Sequence, residues 1–102
     1  THNLNLSDVT KVLAIPYLKV VTATDGYDVG DIIYNFGFNC VCYTPYEALT
    51  ASSDAGKFLN LTANNVMVPR CTYNKVLVIN KSTGVCALSL LSNFKIFVKI
   101  IY

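Results

Sequence analysis

The chain has no tryptophan, no glutamine, one histidine, one glutamate and one methionine among 102 residues. These absences exclude a good deal. General acid–base or nucleophilic catalysis has only His2 and Glu47 to draw on besides the aspartates and cysteines. A Cys–His pair would require the N-terminal segment to fold back onto a strand. No catalytic residue and no enzymatic activity is therefore expected. Charged residues make up 14% of the chain, with a net charge of +2. A hydrophobic content of 53% excludes a disordered tail, which needs low hydrophobicity and high charge. Seven Lys and one Arg are spread from Lys11 to Lys99 without a cluster, so no nucleic-acid partner held by phosphate contacts is expected. The charge-free stretch near the C-terminus, residues 82–94, is shorter than the roughly 20 apolar residues a bilayer needs, and no membrane partner is expected. Residues 1–8 are polar, without the basic start and apolar run of a secretory signal, which points to a reducing compartment.

What the chain does contain reads as β-structure. Twelve Val, seven Ile and nine Thr are β-branched, while the usual helix formers are scarce. Ten Asn and five Gly supply turn chemistry. Apolar residues recur with period two, most clearly at the C-terminus. There Phe94, Ile96, Val98, Ile100 and Tyr102 share one face, and Lys95, Phe97, Lys99 and Ile101 the other. Residues 1–9 read as an arm whose only sizeable apolar groups before Val9 are Leu4 and Leu6, too few to pin it to its own domain. Residues 10–102 read as one domain. Strands are expected over residues 11–15, 17–24, 28–35, 38–43, 58–62, 65–68, 72–80, 85–90 and 93–102, with Pro16 ending the first and Asp25-Gly26 the second. The stretch 45–56 is irregular, with at most one helical turn over residues 46–51. The fold class implied is all-β, a small antiparallel β-sandwich or jelly-roll-like barrel of about eight short strands.

Cys40, Cys42, Cys71 and Cys86 are separated by 1, 28 and 14 residues, which does not match the knuckles of a zinc site. Cys40 and Cys42 point to one face of a strand and are poorly placed to bond each other. Bridges from either to Cys71 or Cys86 stay sterically open, but a reducing compartment favours buried thiols that pack like Ala or Val. Three glycosylation sequons start at Asn5, Asn60 and Asn80, and would matter only in a secreted chain. Asp25, Asp28 and Asp31 recur every third residue, unlike the alternation of an EF-hand. They read as caps of turn amides, so neither a metal nor another cofactor is expected. Seven Tyr and five Phe spread along the strands read mainly as packing, with a minority able to line a sugar-binding face.

Two segments carry a resemblance. Gly26-Tyr27-Asp28-Val29-Gly30-Asp31, placed after an apolar strand, resembles the Gly-Tyr-x-Val-Gly-Asp turn of many tailed-bacteriophage virion proteins. The stretch Asn80-Lys81-Ser82-Thr83-Gly84, followed by Leu90-Leu91-Ser92-Asn93-Phe94-Lys95-Ile96-Phe97-Val98, is similar to their ending, with Phe94 standing where that group usually has Trp. The resemblance covers residues 16–102 and implies a small β-sandwich, commonly trimeric, used in head and tail fibres and capsid-associated parts. Its motif residues are structural. Gly26, Gly30 and Gly84 are expected at tight turns, and Phe94 with Ile96, Val98 and Ile100 in the core strand. The function implied is a structural virion protein assembled in the host cytoplasm. A capsid decoration (cement) protein fits best: a homotrimer bound to the major capsid protein or other virion proteins, with Leu4 and Leu6 of the arm touching the capsid. A receptor- or carbohydrate-binding module of a tail or head fibre is the alternative, and a secreted disulfide-bonded glycoprotein domain a second one.

Overall fold

The computed structural model describes residues 1–39, 59–68 and 72–102. Cys40, Cys42, Cys71, Glu47 and the expected irregular stretch 45–56 lie outside the described residues. The protein is all-β, and the described residues form eight strands in three antiparallel sheets. The first sheet has the order β2-β1-β8, built from Leu13–Val20 (β1), Ile32–Ile33 (β2) and Phe94–Ile101 (β8). The second has the order β3-β6-β7, from Phe36–Phe38 (β3), Lys75–Ile79 (β6) and Cys86–Leu90 (β7). Asn60–Leu61 (β4) and Val66–Met67 (β5) make a separate hairpin. No closed barrel forms among the described residues, so of the two expected architectures the arrangement is sandwich-like.

Alternation explains the core. Leu18, Val20, Ile33 and Phe94 come from the first sheet and Val76 and Val78 from the second, and all six are buried in one cluster. Tyr27, Phe36, Phe38, Leu91 and Ile96 pack around it. Each buried aliphatic or aromatic side chain contributes about 1.5–3 kcal/mol. In β8 the expected period holds: Phe94 is buried, Ile96, Val98 and Ile100 are half-buried, and the residues between them are exposed.

Pro16 does not end a strand. β1 runs through it, pairing with β8 from Leu13↔Ile101 to Val20↔Phe94. An antiparallel residue aims its N–H and C=O at the same neighbour, and successive residues alternate. Val20 donates to the Asp31 carbonyl and accepts from Gly30, on the β2 side, so Pro16 also faces that side. There β2 pairs only with Leu18 and Lys19, and the missing N–H interrupts no ladder.

Other boundaries are tighter than expected. β1 stops at Val20 because the amides of Val21 and Thr22 turn to the Asn93 carbonyl. The expected strand 28–35 shrinks to Ile32–Ile33 behind a bulge. β6 begins only at Lys75, because Tyr73 and Asn74 stand at φ 54° and 53°, outside the extended region.

Candidate functional site

The two segments that carry the resemblance meet in space and build one corner of the molecule. Thr24 and Tyr27 exchange both backbone hydrogen bonds around Asp25 (φ 51°) and Gly26 (φ 78°), the positive-φ pair of a two-residue hairpin turn. Four residues on, the Asp31 amide donates to the Asp28 carbonyl across Gly30, whose φ is 96°. Gly30 and Asp31 together face Val20, which makes Gly30 the left-handed first residue of a β-bulge. The same device closes the β6–β7 connection. Asn80 faces both Gly84 (φ 73°) and Val85, donating to the Val85 carbonyl and accepting from the Gly84 amide.

Cross-links then join the two turns. The Tyr27 hydroxyl donates to the Ile79 carbonyl at 2.6 Å. The Lys81 amide donates to the Asp25 carbonyl at 3.0 Å, and Lys81 Nζ lies 3.7 Å from Asp31 Oδ2. Gly26 sits so close to Ser82 that a Cβ there would stand 2.8 Å from Ser82 Oγ. Of the three aspartates expected to cap turn amides, Asp31 does so, its Oδ2 accepting the Asp28 amide, whereas Asp25 Oδ2 accepts the Thr24 hydroxyl instead. Asn80 Oδ1 accepts the amides of Ser82 and Thr83, so this sequon side chain serves its own turn.

The arm behaves differently from expectation, because its anchor is polar backbone rather than leucine. The amides of His2 and Asn3 donate to the Asn64 carbonyl, Leu6 donates to Ala63, and Asn5 donates to Asn64 Oδ1 at 2.8 Å. His2 Nδ1 accepts the Leu4 amide, which leaves Nε2 as the donor to the Thr62 carbonyl at 3.1 Å. Residues 1–6 therefore lie against the β4–β5 turn. Leu4 and Leu6 are half-buried and line a shallow depression shared with Val12 and Tyr102.

Both sheets present outer faces. On β3-β6-β7 the pairs Leu77↔Leu88, Lys75↔Leu90 and Ile79↔Cys86 point away from the core, with Leu77, Leu88 and Leu90 exposed. Cys86 is exposed and free, not the buried thiol expected at that position. On β2-β1-β8 the outward pairs are Tyr17↔Phe97, Lys19↔Lys95 and Ile15↔Lys99. Linear spacing did not single out these lysines, since only the β1–β8 register brings residues 19 and 95 together. Among the described residues no group of His, Cys, Asp or Glu is placed to hold a metal ion, and no helix is long and apolar enough to cross a membrane. Compared with known proteins, the chain matches no family model, no curated protein and no solved structure.

Proposed function

We propose that the chain is a structural protein of a tailed-bacteriophage particle, a capsid decoration subunit that works by burying surface against the major capsid protein or other virion proteins. The observation that carries this reading is the β3-β6-β7 sheet, apolar on both faces but covered on one. Leu77, Leu88 and Leu90 stand outward beside Cys86 on β7. The resemblance of residues 26–31 and 80–98 to virion modules supplies the setting. A specific contact needs on the order of 1,200 Å² in total, so the sheet face is one part of the surface each copy commits. Copies associate around a threefold axis, as in the modules the chain resembles, and the arm reaches the capsid from its seat on the β4–β5 turn.

The test is occupancy on particles assembled without the endogenous subunit and then supplied with purified protein. The parent chain saturates its sites, and Leu88→Lys, which charges the centre of the apolar face, loses at least about tenfold in occupancy-derived affinity. Full occupancy by Leu88→Lys would move the contact elsewhere. Absence of parent binding to any part of the particle would end the decoration reading.

A further inference from the structure

The outer face of the β2-β1-β8 sheet gathers three aromatic rings and three lysines that are far apart in the sequence. Tyr17 and Phe97 are directly opposed and stack at 5.4 Å between centroids with 15° between planes. Tyr34, just past β2, lies 5.4 Å from Tyr17 at 47°. Phe97 is 39% exposed and Tyr34 57%, so ring surface is open to a ligand. Along the strands, Lys19 and Lys95 face each other on one side of the rings, and Lys99 stands opposite Ile15 on the other. None of the three forms an ion pair among the described residues; Lys11 and Lys81 pair with Asp8 and Asp31 elsewhere. Like charges placed directly opposite on a sheet repel, so a bound anion would stabilise this arrangement.

We propose that this face binds single-stranded nucleic acid, with bases stacked on Phe97 and Tyr34, which Tyr17 packs against and supports, and phosphates beside Lys19, Lys95 and Lys99. Charge complementarity selects an anion, and the neighbouring side chains narrow the class. A sugar offers many hydroxyls, which need planar polar partners such as Asp, Asn or Gln, and the strands contribute none to this face. An acidic protein surface would use the lysines but would have no need of open ring faces between them. Bases need only rings to stack on, and phosphates accept lysine as a point charge, a combination indifferent to base sequence. The site is independent of the virion reading, which rests on the opposite sheet.

Fluorescence anisotropy of the intact chain with a labelled oligothymidylate of about ten nucleotides tests it. Three phosphate contacts give a slope of about −2 in log affinity against log salt. Lys95→Gln, an exposed change that does not touch the core, should flatten that slope by about 0.7. Phe97→Ala and Tyr34→Ala should each weaken binding about tenfold and leave the slope unchanged, with Tyr34 lying outside the strands in case Phe97→Ala fails to fold. The proposal fails if the oligonucleotide does not bind at about 50 mM salt. It fails too if binding ignores these substitutions, or if a sulfated polysaccharide binds more tightly through the same residues. That last result would reassign the face to acidic glycans.

Discussion

Gly26 and Gly30 both hold positive φ, yet they should respond differently to a side chain. Around Gly30 a Cβ would meet nothing within 4 Å, so the cost there is backbone conformation alone. Gly30→Val should destabilise by about 1–2 kcal/mol in chemical denaturation, and a neutral result would remove the bulge from the account. At Gly26 the same backbone cost is joined by a clash, with Ser82 Oγ at 2.8 Å and the Ser82 amide nitrogen at 3.3 Å. Gly26→Ala should therefore cost more than Gly30→Ala, and Ser82→Gly should recover part of the difference, a non-additivity a double-mutant cycle measures. Phe94, 5% exposed at the start of β8, packs between the sheets. Phe94→Ala should lose about 3–5 kcal/mol. A melting temperature within a degree or two of the parent would contradict the register. The glycines and Phe94 were legible in the sequence because their chemistry is local or periodic. The Tyr27 bond to Ile79 was not, because its acceptor is a backbone carbonyl that any residue would offer.

Among the elements, the arm shows how sequence reading by apolar content can mislead. Leu4 and Leu6 promised little attachment, while the attachment made here runs through amides that composition does not reveal. Asn64 is the hub, its carbonyl taking His2 and Asn3 and its side chain taking Asn5. Asn64→Ala should remove one hydrogen bond of about 0.5–1.5 kcal/mol and speed hydrogen exchange at Asn5, with little change in the core strands. Unaltered exchange at Asn5 would mean the side-chain contact contributes nothing to seating the arm. β1 carries a related lesson. A proline normally marks an edge, and Pro16 does occupy one, but only on one side of a strand whose other side is fully paired. Strand order decides such a case, and order is invisible to a local reading.

For the whole molecule, apolar surface exceeds what one small core covers, as the composition suggested: Leu77, Leu88 and Leu90 stand exposed on β3-β6-β7, and Leu13, Ile32, Phe97 and Ile101 on β2-β1-β8. Sedimentation should find an oligomer for the parent chain, and Leu88→Lys, whose side chain is exposed on the face proposed to meet the capsid, should keep that oligomer. A parent that stays monomeric at high concentration would count against the trimer, and a monomeric Leu88→Lys would make this face the subunit seam instead of the capsid contact. The long β1–β8 ladder also settles how the domain meets mechanical load. Its pairing places Leu13 beside Ile101, so the ends of the ladder nearest the two chain termini lie side by side. Tension applied between the termini would pull that first pair apart, then the next, loading the hydrogen bonds one after another rather than together. The domain is thus weak against stretching along its own chain, and a load on it is better borne sideways, through its sheets.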